Sequence, residues 1–163
     1  MGYNASLIFT DDGTRSGAFG AEPTSSVFTT KTTYTHNSTD KYIAYCWTEI
    51  EGFSKFGSYV GNGSTDGPFV YCGFKPAWVM VKCSSAGSRN WRMWDSSRGP
   101  TNPTNLDLLP NTSHVENAHG SDEIDLLSNG FKIRSTGSWH NSSGETYIVV
   151  AFAESPFQTA NAK

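Results

Sequence analysis

Two stretches of this chain are near-copies of each other, and a segment written twice constrains the fold more than any other feature. KYIAYCWTEIEGF (41–53) and TYIVVAFAESPF (146–157) set Tyr42-Ile43 on Tyr147-Ile148, Trp47 on Phe152, Glu49 on Glu154 and Phe53 on Phe157, about 105 positions apart. The likeness extends upstream with small gaps: Phe28 falls on Phe131, and HNS at 36–38 falls on HNS at 140–142. Solenoid units run about 20–50 residues, so a period this long marks tandem domains or two halves of one pseudo-symmetric domain. The expected organisation is one and a half copies. Residues 1–52 are the C-terminal half of a preceding repeat, packed with the next; 53–157 are a complete unit; 158–163 are a loose tail. A chain that starts in mid-repeat reads as a piece of something longer.

Within the complete unit the apolar residues follow a strand period. In AWVMVKC, Ala77, Val79, Val81 and Cys83 point one way and Trp78, Met80 and Lys82 the other, while YIVVAFAE is apolar on both faces, as a central strand requires. Strands are expected at 69–74, 77–83, 91–95, 106–109, 123–127, 131–135 and 146–154. Turn chemistry separates them: the Asn-Gly of SNG (128–130) for a tight hairpin, the small residues of GNGSTDG (61–67), and two prolines in RGPTNPTN (98–105). No helix beyond a single turn is expected. Short strands at roughly ten-residue spacing define an all-β chain, a β-sandwich or jelly-roll-like arrangement of antiparallel sheets.

Composition removes several functions. The net charge of −3 and the absence of any Lys/Arg cluster argue against nucleic acid as a partner. No apolar run approaches the roughly 20 residues that span a bilayer, so membrane insertion is not expected. Cys46, Cys72 and Cys83 lie in apolar runs with no Cys-x-x-Cys pair, which reads as three buried free thiols rather than disulfides or a zinc site.

Enzyme readings find little support. There is no Gly-x-Ser-x-Gly elbow, and the four histidines lack metal-ligand spacing. HVENAHGSDEID (114–125), with Glu116, His119, Asp122, Glu123 and Asp125, reads as a solvated loop. Asp66, Asp95 and Glu116 are conceivable glycosidase carboxylates, but nothing pairs them across the roughly 5–10 Å that such chemistry needs. The expectation is a protein that is not an enzyme, with no catalytic residues, no metal and no cofactor.

Residues present in both copies, His36/His140, Tyr42/Tyr147 and Glu49/Glu154, read as framework that pins turns and strand ends. Binding has other material. Trp91, Arg92, Trp94, Trp139 and His140 keep polar sequence company, and an indole face stacks on the apolar face of a sugar while polar groups satisfy its hydroxyls. These five are the candidate ligand site. Trp47 and Trp78 are assigned to the core, and Asp95 and Arg98 to a local ion-pair brace.

Taken in order, GFKPAWVMVKC (73–83), NWRMWDSSRG (90–99), LLSNGFKIRSTG (126–137) and HNSSGETYIVVAFAESPF (140–157) resemble a repeated domain of unknown function. That domain is found in virion proteins of tailed bacteriophages, notably marine and cyanobacterial ones, including tail-fibre and other structural proteins. The resemblance carries no catalytic or ligand residues with it. It implies a virion appendage protein assembled in the host cytoplasm, most simply a tail-fibre or receptor-binding domain that recognises the host surface non-covalently. The implied partners are a host cell-surface polysaccharide or protein receptor, other virion proteins and further copies of itself, with a trimer as one compatible state. The alternatives are a purely architectural part (head fibre, capsid decoration or fibre shaft) and a polysaccharide depolymerase spike.

Overall fold

The computed structural model describes residues 5–7, 14–16, 19–21, 24–30, 39, 41–42, 44–118 and 123–155. Two antiparallel sheets carry the fold. The larger takes the order β5-β13-β7-β8, from β5 (Ser54–Val60), β13 (Thr146–Ala153), β7 (Pro76–Cys83) and β8 (Arg92–Asp95). The smaller takes the order β11-β12-β6, from β11 (Ile124–Leu127), β12 (Gly130–Ile133) and β6 (Phe69–Tyr71). Short ribbons add β1 (Ala5–Leu7) with β2 (Thr14–Ser16), β3 (Phe19–Ala21) with β4 (Thr29–Thr30), and β9 (Leu106–Asp107) with β10 (Asn117–Ala118). A single turn of helix, α1 (Ser138–Asn141), precedes β13. All seven expected strands form.

The core lies between the sheets and follows from strand alternation. From the larger sheet, Val79 and Val81 of β7, Trp94 of β8, and Tyr147, Val149 and Ala151 of β13 point inward and are buried. Val70, Ile124, Leu126, Phe131 and Ile133 answer from the smaller one. Tyr59 of β5 meets Phe131 edge-on across the gap, with ring centroids 6.4 Å apart. Each large apolar side chain removed from water here stabilises the fold by about 1.5–3 kcal/mol. The outward face of β13 is apolar as well: Phe152 packs against Trp78 at 5.7 Å, Phe53 at 5.9 Å and Phe56 at 6.1 Å.

β5 escaped the sequence reading because SKFGSYV mixes polar residues and a glycine into a weak pattern. It is an edge strand, where charge and small polar residues discourage pairing with other chains. At the far edge of the smaller sheet, the Asn102 side chain stands in for a strand. Its amide donates to the Leu126 carbonyl and its oxygen accepts from the Leu126 N–H, both at 2.9 Å.

The hairpin at 128–130 forms, for a different reason than expected. Leu127 faces Gly130, so the loop is Ser128-Asn129. Among the described non-glycine residues only Ser88 has positive φ, so Asn129 does not use the left-handed region. Gly130 is needed for room: a Cβ there would sit 2.1 Å from the Val70 carbonyl oxygen on β6. The Asn129 carbonyl in turn accepts the N–H groups of Cys72 and Gly73, fastening β6 to the turn.

Every strand of the two-sheet sandwich falls within residues 54–153. Residues 44–49, which align with β13, form no strand in this structure. Trp47, assigned to the core by sequence, is 66% exposed, and Cys46 is exposed while Cys72 and Cys83 are buried. A strand apolar on both faces orders only with neighbours on both edges, and this one has a single bridge, Ile50 to Ser54. Trp78 is half-buried on the outward face. His36, His119, Asp122 and the tail 158–163 lie outside the described residues.

Replacing Gly130 with alanine is expected to lower stability by about 2–3 kcal/mol, because backbone must shift to admit the methyl group. Gly87→Ala, where nothing lies within 4 Å of the added Cβ, is expected to stay within about 0.5 kcal/mol. Urea midpoints of the two variants make the comparison.

Candidate functional site

The structure brings the five sequence-predicted binding residues together, but encloses four of them. Trp94 and His140 are fully buried, and Trp91 and Arg92 are 6% and 5% exposed. Trp94 meets His140 edge-on at 5.4 Å. Arg92 pairs with Asp107 at 2.5 Å inside the protein. Only Trp139 is half-buried, and the guanidinium carbons of Arg89 and Arg92 each lie 5.7 Å from its ring centroid. The ring therefore meets cations of its own chain rather than an open sugar-stacking surface. Burial leaves Trp91, Arg92, Trp94 and His140 no open face for a ligand, and these four brace the interior, while Trp139 alone stays partly open. Polar neighbours misled the reading, because alternation along RMWD puts Arg92 and Trp94 on the inward face, in register with Val81 and Val79.

His140 and Asn141 form the knot beside this brace. The Asn141 side-chain oxygen accepts from the Asn62 N–H at 2.9 Å. Its amide donates to the carbonyls of Ser64 and Ser135, both at 2.8 Å. Tyr59 donates its hydroxyl to the His140 carbonyl at 2.6 Å, and the Tyr147 hydroxyl donates to the Ser138 carbonyl at 2.9 Å. The framework reading of Tyr147 and His140 fits these contacts, which tie loop 61–67 to α1. Glu49 and Glu154 both make ion pairs next to strands, with Lys55 at 2.9 Å and Lys75 at 2.8 Å. The expected Asp95–Arg98 brace is present at 2.5 Å.

A surface site lies elsewhere. β5 and β6 are edges of their respective sheets, and a cleft of about 390 Å³ opens beside them, lined by Glu49, Ile50, Lys55, Tyr71, Cys72 and Gly73 among others. Tyr71 is 63% exposed, and Phe69, on the same face of β6, is 44% exposed. Lys132 lies opposite Phe69 and pairs with Asp66 at 2.8 Å. The Lys55 ammonium, hydrogen-bonded to Glu49, holds that carboxyl below the usual range, and the Phe56 N–H also bonds to it. Burial pushes the Cys72 thiol up to about 11, so it stays protonated and unreactive at neutral pH. Exposed rings flanked by fixed charges and amides are equipped to hold a polar ligand with one apolar face. The signal for this site was in PFVYCGF: a strand there must turn Phe69 and Tyr71 away from Val70 and Cys72.

Among the described residues no three His, Cys, Asp or Glu side chains gather as a metal site, and no helix is long and apolar enough to cross a membrane. Glu116 reaches Arg98 at 3.6 Å and Asp125 reaches Arg134 at 3.2 Å.

An antiparallel β-sandwich with an aromatic-edged surface cleft is the class that fold and site define. The chain belongs to the family described as Domain of unknown function (DUF7483), whose model matches residues 4–156. Neither the curated proteins nor the solved structures contain a significant match.

The buried imidazole has a consequence in solution. Burial, reinforced by the nearby Arg92 charge, pushes His140 down to about 3 from its ordinary 6.5. Below about pH 6.5 the unfolded chain takes up a proton that the folded protein refuses until about pH 3, so stability falls as pH drops through that window. From pH 6.5 to 4.5 this one group is expected to remove about 2 kcal/mol. His140 Nε2 lies 2.6 Å from the Ser135 hydroxyl, and His140→Gln, which can keep that bond, is expected to flatten the slope in urea unfolding measured across the window. An unchanged slope would assign the pH dependence to other groups.

Proposed function

We propose that this chain is a β-sandwich module of a tailed-phage virion appendage, of tail-fibre or receptor-binding type, that recognises a host surface glycan non-covalently. The observation that carries the site is the pair of exposed rings, Phe69 and Tyr71, on an edge strand beside a cleft walled by the Glu49–Lys55 ion pair. The phage setting rests on the four ordered motifs of the sequence, and assembly in the host cytoplasm follows from that setting. Rings of this kind stack on pyranose faces, and carboxylate, ammonium and backbone groups around them satisfy hydroxyls. Glu49 is held ionised, which suits an acceptor of hydroxyl hydrogen bonds and not a general acid, whose pKa must be raised. This favours recognition over depolymerisation. Weak single sites become effective in a multivalent appendage, where linked binding gains about 10²–10⁴ in avidity.

A second reading, a purely architectural role, draws on the outward face of the larger sheet. Trp78, Phe152, Phe56 and Met80 there form a half-buried apolar surface suited to contact with another subunit or virion protein.

The test uses the full chain clustered on beads against a panel of bacterial surface polysaccharides, with released oligosaccharide monitored. Selective binding without release is expected. Tyr71→Ala is expected to weaken it at least about tenfold, the loss of one aromatic stack, with an unchanged melting temperature. Wild-type binding by that variant would remove the cleft from the proposal, and a folded protein that binds none of the panel would favour the architectural role.

A further inference from the structure

β13 is ordered by neighbours on both edges, β5 along one and β7 along the other. The segment that shares its sequence pattern, residues 44–49, lacks both. The alignment sets Ala44 on Val149, Cys46 on Ala151, Tyr45 on Val150 and Trp47 on Phe152. In β13 the first two positions face the core and are buried, and the last two face outward, where Phe152 joins the aromatic cluster. The segment keeps that division, with small residues on the inward side and large ones on the outward side. Yet Tyr45 is 73% exposed, Trp47 66% and Ile50 44%, with the rings of Tyr45 and Trp47 stacked on each other at 6.1 Å.

The chain starts to close this segment onto its own β5 and stops. After the Ile50–Ser54 bridge, the next donor on the open edge of β5, the Phe56 N–H, is taken by the Glu49 carboxylate at 3.2 Å. A second rung has no donor left there, and the charges of Glu49 and Lys55 blunt the edge.

We propose that residues 44–49 form a β13-type strand completed from outside, and that the partner is another unit of this same repeat offering its β5- and β7-type strands with the slot between them open. Repeat symmetry identifies that occupant, since β5 and β7 are what cover the matching strand here. Charge agrees with it. Glu154, the counterpart of Glu49, pairs with Lys75 just ahead of β7 and donates its N–H to the Lys75 carbonyl at 2.9 Å. On insertion Glu49 exchanges Lys55 for the partner's equivalent of Lys75, which releases the Phe56 N–H. An intact copy of this chain has its slot filled by its own β13, so the acceptor is a unit whose slot is vacant. The inference does not depend on glycan binding.

Fusing a second copy of residues 53–104 ahead of Met1 of the full chain supplies such strands. In the chain alone, Cys46 is the exposed thiol among the three and is expected to react fast with an aromatic disulfide reagent. In the fusion its rate is expected to fall at least about tenfold, because reaction then requires local opening, and Trp47 emission shifts to the blue. An unchanged Cys46 rate with unshifted emission overturns the proposal. A second variant guards against a fusion that misfolds: the full chain carrying Val149→Ala, Val150→Tyr, Ala151→Cys, Phe152→Trp and Ala153→Thr, which writes residues 44–48 into the β13 slot. A cooperative thermal transition in that variant supports the proposal, and the loss of any transition overturns it.

Discussion

The pairing of one strand along both of its edges is the constraint on which the rest depends. Thr146–Ala153 runs between β5 and β7, so the larger sheet exists only when this late segment is in place. Each net hydrogen bond of such a ladder contributes only about 1 kcal/mol, and the two ladders act together with the side chains between them. Tyr147 stacks on Tyr59 at 5.2 Å, and the two hydroxyls reach carbonyls of α1. One strand thereby aligns the sheet, seats the helical turn and holds loop 61–67 through Asn141. A buried polar network of this kind is stabilising only when its members are paired together, which makes the strand and the knot a single cooperative element.

The strands were legible where period-2 apolar alternation was strong. AWVMVKC and YIVVAFAE gave both their extent and their faces, and SNG marked a hairpin whose glycine proved necessary for clearance rather than for its torsion angle. The weak pattern of SKFGSYV hid β5, because an edge strand is selected for not inviting partners. The site was misread for a related reason. Polar neighbours around Trp91 and Trp139 suggested exposure, but Arg92 is carried inward by the same alternation as Trp94 and finds Asp107 there, a partner fifteen residues away that no local window shows. Phe69 and Tyr71 pass for core residues in composition, but alternation with the buried Val70 and Cys72 turns them outward, opposite Lys132 and Gly130. A duplicated sequence likewise does not guarantee a duplicated strand, since the hydrogen-bond partners are part of what makes one.

The molecule therefore has two surfaces of different character. The cleft side is formed by strand edges and pairs rings with fixed charges, which suits a hydrated ligand. The outward face of the larger sheet is broad and apolar, which suits a packed protein contact. The cleft and the apolar face are separate, so a substitution in one need not disturb the other.

The positions at which the chain enters and leaves the sandwich carry a mechanical consequence. Ser54 opens β5 opposite Phe152 near the close of β13, so the two ends of the unit lie side by side, roughly 5 Å apart. Tension applied between them acts across the ladder, along its hydrogen bonds, and opens it one rung at a time like a zip. The first resistance is local: the Ala153 N–H to the Phe53 carbonyl and the Glu154 N–H to the Lys75 carbonyl, both at 2.9 Å. Units strung this way hang as pendants beside the line of force and add little to its length until they open. A tether made of them is compliant rather than stiff, with slack held in reserve inside each folded unit.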